Sequence, residues 1–477
     1  MKTARNLINT ERIWEQALPA QLEDAAFVAR NDSAVLGHRT GAGKTLMAIL
    51  AWDSWPVRRT IIMGTQGSIY TWRRLLPYWT DTKPTILVGA GDPDWDDFFT
   101  DNPGVWLTTF ASFRARFAAE RRWKLPLVDL VINDELHRIL RNRKTRYFEQ
   151  LRRLKTSHFI GMSATWASRG PQDLWPALHY MSRKTFSSYW KFVTTWCWVD
   201  DTSFGKEIYG VRNPERLKEM MRSQYYVARP IEGFPGTRRE VVDLDPSKKQ
   251  RKWYQELDSD MVLEMEGVTV VTPNAISKLT RLRQLCCSPR ILDPEAEVGP
   301  GIDYILEGIS DDPHTVVFSL FSATLDIIRD ELIKSGYPED SIFILRGGCG
   351  ADEIERVENE WKRTKGVCLC TITFAQSFAL DTGLVSYFLG WSWDPNDNIQ
   401  AEGRLRRMDS VLRTDVLCKY ILINGTCDDD VKEVVNGKYY STSQFLIDHY
   451  AKVQEEEGKD IPEVIDHRLH GEPLKTT

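Results

Sequence analysis

No Cys-x-x-Cys pair occurs among the eight cysteines of this 477-residue chain, and Cys286-Cys287 and Cys368-Leu-Cys370 are poorly spaced for zinc. That excludes a metal ribbon built from local spacing and points to reduced, mostly buried thiols in an intracellular protein. No apolar run approaches the roughly 20 residues that cross a bilayer, and Met1-Lys-Thr-Ala-Arg5 is not followed by a secretory apolar core. The expectation is a soluble, intracellular, cytoplasmic protein with no membrane partner. Neither a repeat nor a low-complexity tract occurs. An excess of positive charge is missing too, since the formal net charge is −5. That average still permits a local basic track, and Arg138, Arg141, Arg143, Lys144, Arg146, Arg152, Arg153 and Lys155 cluster in one stretch.

What is present is ordinary globular composition, 42% hydrophobic and 27% charged, in a chain too long for one core. Short apolar runs recur between helical stretches: Ala34 to Gly37, Thr60 to Gly64, Val105 to Thr109, Leu127 to Ile132 and His158 to Met162. Strands of this kind, buried on both faces, belong to a parallel α/β sheet. Residues 175–230 lose that rhythm and read as a helical insertion. The Pro/Gly punctuation from Pro230 to Gly236 reads as a linker. A helical segment over 246–290 then leads into a second strand series: His314 to Ser319, Ser341 to Leu345, Val367 to Thr371, Leu384 to Leu389 and Val416 to Ile423. The spacing predicts a first lobe over 1–235, a second over 236–455 and an acidic tail over 456–477.

Three segments carry chemistry. Gly41-Ala42-Gly43-Lys44-Thr45 follows the first strand and opens an apolar helix. Glycines there let backbone N–H groups approach phosphates, Lys44 can reach the outer phosphates, and the Thr45 hydroxyl can serve Mg²⁺. The eight-residue window begins at His38 instead of a glycine, so the P-loop pattern is incomplete, with Arg39 and Thr40 filling the loop. Asp134 and Glu135 end the strand that begins near Leu127, which suits a magnesium-holding carboxylate beside a general base. His137 and Ser163-Ala164-Thr165 could relay the state of the site. Far downstream, Gln400, Arg404 and Arg407 share one helix face, and arginines there could neutralise a transferring phosphoryl group. For each segment the plain alternative is a polar turn or a solvated basic helix. Together, in this order, they describe an ATPase, using ATP and Mg²⁺, whose site closes between two halves of the chain.

With these residues in hand, the chain resembles a superfamily-2 helicase, and most closely the Swi/Snf-type branch of double-stranded-DNA translocases, from Leu18 to Lys438. Gln21, in Leu18-Pro-Ala-Gln21, is similar to the family's adenine-recognising glutamine. Thr65-Gln-Gly-Ser-Ile-Tyr-Thr-Trp72 and Leu107-Thr-Thr-Phe110 resemble its DNA-contacting segments, with Thr65 where a proline is usual. Asp134 to Arg138 with Asn142, Ser163 to Thr165 with Asp173-Leu-Trp175, and Leu282 to Pro289 resemble further motifs. So do Gln400 to Arg407, and Gly425-Thr426 with Lys438. The resemblance implies DNA contacts at Trp72, Thr109, Arg138, Asn142 and Thr373, and arginines at 404 and 407 completing the ATP site. One departure stands out. The fifth motif has Gln376-Ser377, Ala379 and Asp381 where glycines and an asparagine are usual, which puts DNA coupling through that loop in question.

The expected architecture is therefore α/β, two RecA-like parallel-sheet lobes in tandem with helical insertions, acting as a monomer on duplex or branched DNA. The lack of an obvious accessory domain favours a bacterial or viral enzyme of forks and recombination intermediates over a nucleosome remodeller. Two rivals are a strand-separating DNA or RNA helicase and a nucleotide-gated DNA-binding module that does not translocate.

Overall fold

The computed structural model describes residues 11–432 apart from 121–124, 126, 168–169, 204, 230–233, 261, 266–267, 272–274, 313, 376–377 and 407–413. Arg407, Gln376, Ser377, Lys438, most of the Pro230–Gly236 punctuation and the acidic tail lie outside the described residues.

The first sheet uses β1 (Ser33–Leu36), β2 (Arg59–Gly64), β3 (Thr85–Leu87), β4 (Gly104–Thr109), β5 (Val128–Asp134) and β6 (Thr156–Met162). An antiparallel hairpin of β7 (Trp198–Thr202) and β8 (Gly205–Tyr209) stands apart, and β9 (Tyr226–Val227) rejoins the sheet beside β1. The order is β3-β4-β2-β5-β6-β1-β9, with every pairing parallel. Parallel strands are covered on both faces by their crossover helices, which is why β2 carries the apolar run Ile61-Ile62-Met63 and has all six of its residues buried. Alternate residues then serve opposite cores. Val35, Ile61, Met63, Val131 and Phe159 face one cluster, while Ala34, Leu36, Ile62, Leu130, Ile132 and Ile160 face the other. Each large aliphatic residue so buried contributes about 1.5–3 kcal/mol.

The second sheet begins with β10 (Thr237–Leu244), and a small antiparallel hairpin, β11 (Val262–Met265) with β12 (Val268–Val271), follows. β13 (Thr315–Ser319), β14 (Ile342–Leu345), β15 (Val367–Thr371), β16 (Val385–Leu389) and β17 (Val416–Ile423) complete it in the order β10-β17-β16-β13-β15-β14. All its pairings are parallel as well. Two parallel α/β sheets in tandem are what the apolar rhythm predicts.

The helical expectation for 246–290 needs correction. Helices Lys248–Asp260 and Ala275–Cys287 are interrupted by the β11–β12 hairpin. Val262, Val268, Thr269, Val270 and Val271 are β-branched and sit poorly in a helix. The insertion over 175–230 likewise contains the β7–β8 hairpin among its helices. Strand β10 has no continuous apolar run to mark it, because the charged residues Arg238, Arg239 and Glu240 interrupt it and are exposed, as suits an edge strand.

Candidate active site

Strand order explains why three distant segments meet. β5, β6 and β1 are neighbours, so their C-terminal ends release Asp134-Glu135, Ser163 and the Gly37-to-Gly43 loop along one edge of the sheet. The loop turns through Gly41 at φ +82° and Gly43 at φ +84° before helix Lys44–Asp53 starts. Gly43 has no substitute here: the conformation is left-handed, and a Cβ would collide with the Gln21 amide. Gln21 is buried, donates through Nε2 to the Ala42 carbonyl at 3.1 Å, and accepts from Leu18 N–H at 3.0 Å. It thereby ties helix Pro19–Asn31 to the loop.

Lys44 donates to the carbonyls of His38 (2.9 Å) and Arg39 (3.1 Å), folding its ammonium over the loop. Burial lowers its pKa, a shift opposed by the charges of Glu135 and Asp134 and aided by Arg404. The side chain of buried His38 turns away, with Nε2 2.8 Å from Asp24, so His38 anchors the loop and offers it only a carbonyl. Thr45 is the second residue of the helix and is half-buried, while the Thr40 hydroxyl is buried with no hydrogen-bond partner among the described residues.

Asp134 is buried, and its carboxyl is pushed up to about 7, first by burial and then by neighbouring Glu135. Lys44 and a hydrogen bond from the Trp72 indole (Nε1 to Oδ2, 3.2 Å) oppose that rise. A buried carboxylate of this kind, facing a lysine loop that ends in Thr45, suits a divalent cation. Glu135 sits at φ +55°, a left-handed conformation uncommon for a side-chain-bearing residue. That turn starts the short helix Leu136–Arg138.

From Glu135 a buried polar chain crosses between the sheets. His137 Nδ1 lies 2.9 Å from Ser163 Oγ and 3.4 Å from Glu135 Oε2. Gln400 Nε2 lies 3.2 Å from His137 Nε2 and 3.4 Å from Glu135 Oε2. An amide group facing a carboxylate must present its N–H₂, so His137 Nε2 accepts and its proton resides on Nδ1. Burial holds the His137 pKa well below its ordinary value, aided by Arg138, so the ring is neutral. Ser163 Oγ also accepts from Thr165 N–H at 3.1 Å. Gln400 belongs to helix Pro395–Glu402 of the second half. Beyond it, Arg404 is buried and donates from Nε to the Gln400 carbonyl (3.0 Å) and from Nη1 to that of Phe378 (3.1 Å). Between them Gly403 lies against Thr40, where an added Cβ would come to 2.7 Å of the Thr40 Cβ.

Further contacts seal the two halves together. Arg138 pairs with Asp397 at 2.7 Å and Arg141 with Asp394 at 3.4 Å. Tyr70, on helix Gln66–Trp79, packs into the second half's core with Ile354 and Trp361, and Arg74 lies 3.6 Å from buried Glu358. Neither Asp397 nor Glu358 carries a sequence signal, and the motif segment that contains Tyr70 does not point to this contact. Each is an ordinary helix residue until the tertiary structure brings its partner.

The expected DNA contacts fare differently. Trp72 is wholly buried and is bonded to Asp134, so it cannot face DNA and instead orients that carboxylate. Arg138 is engaged by Asp397, which leaves it half-buried at the junction. Thr109 caps helix Phe110–Ala119 through its bond from Ser112 N–H. Asn142 and Thr373 are exposed. The basic stretch is also thinned by internal contacts: Arg143 stacks over Tyr189 and Arg153 holds the Phe117 and Glu120 carbonyls. Lys144, Arg146 and Lys155 stay exposed.

Comparison with known proteins gives the family. The family model described as SNF2-related domain matches residues 20–291. A Drosophila melanogaster protein, SWI/SNF-related matrix-associated actin-dependent regulator of chromatin subfamily A-like protein 1, is 21% identical over 448 residues, covering 90% of this chain and 55% of that protein. The Mus musculus SWI/SNF-related matrix-associated actin-dependent regulator of chromatin subfamily A member 1 is 22% identical, covering 78% of this chain and 38% of its own length. This chain thus spans about half, or less, of these curated relatives. The solved Sulfolobus solfataricus SWI2/SNF2 ATPase core in complex with dsDNA aligns with 94% of this chain and 98% of its own, at 15% identity and a TM-score of 0.41. No described helix is long and apolar enough to cross a membrane. With the family model covering more than half of its length, the chain belongs to the SNF2-related domain family of Swi/Snf-type, superfamily-2 helicase-like ATPases.

Proposed function

We propose that this chain hydrolyses ATP in the cleft between its two sheets and uses the cycle to move along duplex DNA, acting on forks and branched intermediates. The observation that carries the reading is the buried chain Glu135–His137–Gln400, which joins the expected general base to the second half. In this scheme Lys44 leaves the His38 and Arg39 carbonyls for phosphate oxygens, and the loop's N–H groups cradle the phosphates. Asp134 and Thr45 would hold Mg²⁺, which supplies charge neutralisation on the outer phosphates. Glu135 accepts the proton of the attacking water, and Arg404 stabilises the charge that develops on the transferring group. Arg407 is assigned the same role by its motif position.

Closing the cleft brings Gln400 to Glu135 and Gly403 to Thr40; loss of the γ-phosphate releases both. That alternation, repeated on a duplex held by phosphate contacts at Asn142, Lys144, Arg146 and Thr373, is a translocation cycle. The Phe378–Leu380 stretch of the atypical fifth motif is bonded to Arg404 through the Phe378 carbonyl and the Leu380 N–H, which favours coupling over mere binding. A motor that tracks a duplex without prising its strands apart suits branch migration, because each pair broken is matched by one formed.

The deciding experiment measures ATP turnover with duplex, single-stranded, forked and four-way DNA and with RNA, together with triplex displacement. Duplex-stimulated turnover with ejection of the third strand supports the proposal. Stimulation by RNA or single strands alone overturns it in favour of a conventional helicase. Turnover without displacement leaves the nucleotide-gated binding module.

A further inference from the structure

The helix Ala275–Cys287 ends on two cysteines, and the chain returns to the same spot 141 residues later, in the turn after β17. There the Cys286 and Cys427 sulfurs lie 4.0 Å apart, and one carboxylate oxygen of Asp428 lies within 4.8 Å of both. All three side chains are buried. We propose that Cys286, Cys427 and Asp428 form a binding site for one thiophilic divalent cation of the zinc type, separate from the ATP cleft and independent of the function proposed above.

Buried thiols often serve as small apolar groups, and this pair does border Trp253, Leu257, Leu282, Leu285 and Ile423. Three features set the pair apart. The two sulfurs face each other at nearly the edge length of a tetrahedral thiolate site, about 3.8 Å for metal–sulfur bonds of about 2.3 Å. A carboxylate, costly to bury beside apolar groups, completes a third corner instead of another aliphatic residue. Asp428 is already steadied by accepting from Ile423 N–H at 3.2 Å, and one of its oxygens lies within 4.8 Å of both sulfurs. The Tyr254 hydroxyl accepts from the Cys427 N–H at 2.7 Å, next to the cluster. A two-sulfur, one-oxygen set with a hydroxyl beside it matches the donor preferences of zinc and excludes magnesium or calcium, which take oxygen ligands.

Cys287, equally buried and adjacent in sequence, is not part of the cluster and points toward Gly390. It is the internal control. Sequence spacing could not disclose such a site, because two ligands are neighbours and the third lies on a remote helix. An ion there would pin that helix, the segment bearing Tyr254 and the end of the last strand into one unit.

The test titrates the reduced, full chain with Co²⁺ and then displaces it with Zn²⁺. The expected result is one equivalent of cobalt per chain, with a near-ultraviolet thiolate charge-transfer band and the visible bands of tetrahedral cobalt, both abolished by one equivalent of zinc. Cys286→Ser and Cys427→Ser should each weaken binding by more than the roughly 10- to 100-fold typical of losing an outer-shell partner. Asp428→Asn should weaken it while keeping the thiolate band, and Cys287→Ser should bind as wild type. Circular dichroism checks that each variant is folded. Absence of the band in wild type overturns the proposal without recourse to any variant. So does a band that survives the Cys286→Ser/Cys427→Ser double substitution or disappears in Cys287→Ser.

Discussion

Gly403→Ala separates folding from closure. Gly403 has φ −64° and ψ −9°, a conformation alanine adopts freely. Within the second half the change should therefore be neutral or stabilising by about 0.4–1 kcal/mol, through the loss of unfolded-chain freedom. Across the cleft it is a collision. The new methyl would sit 2.7 Å from Thr40 Cβ and 3.1 Å from Thr40 Cγ2, against the 3.4 Å at which ordinary contact begins. The halves must part by about 0.7 Å at that point, and overpacking of this kind costs about 1–3 kcal/mol. That lowers the closed population about 5- to 150-fold. DNA-stimulated kcat should fall over that range, while the thermal midpoint stays level or rises and ATP still binds the first half in calorimetry. Thr40→Gly removes the opposing carbon, so the double variant should recover most of the loss, a coupling that a double-mutant cycle measures. Wild-type turnover in Gly403→Ala would refute the reasoning, since the two segments would then not meet during the reaction as they do here.

Glu135→Gln should retain ATP binding yet lose turnover by ~10²-fold or more, the range that general-base catalysis supplies; near-normal hydrolysis removes Glu135 from the mechanism. Arg404→Ala should reduce kcat by ~10³-fold if that side chain stabilises the transferring group, leaving the first half folded by circular dichroism. Trp72→Phe keeps a six-membered aromatic ring but loses the indole's N–H-bearing ring and with it the donor to Asp134, a bond to a charged acceptor worth about 1.5–3 kcal/mol. Turnover should then need on the order of ten times more Mg²⁺, and an unchanged magnesium titration would return Trp72 to a purely packing role. DNA affinity should drop steeply between low and physiological salt as counterions are released from phosphates; a flat salt response contradicts the exposed basic contacts at Lys144 and Arg146.

Periodicity and local motif order are legible without coordinates. Apolar runs bounded by helical stretches specify parallel strands because both faces of each strand must be buried, and β2, β5, β15 and β17 lie where those runs do. Gly43-Lys44 after a strand and Asp134-Glu135 at a strand end can be read for the same reason: phosphate chemistry requires those residue types at local spacing. Edge strand β10 and the β11–β12 hairpin are illegible, since exposed charges hide one and valine-rich alternation inside a helical stretch hides the other. Side-chain direction is equally beyond a linear reading. Trp72 resembles a DNA contact by its place in a motif, but the fold turns its indole inward to Asp134, and Arg138 is a free cation on paper until Asp397 faces it. Partners more than a hundred residues apart, such as Glu135 with Gln400, Thr40 with Gly403 and Cys286 with Cys427, exist only because remote segments pack together within and between the two halves. Local chemistry is written in short spacings, whereas long-range pairing depends on loop closure and packing, which no single segment encodes.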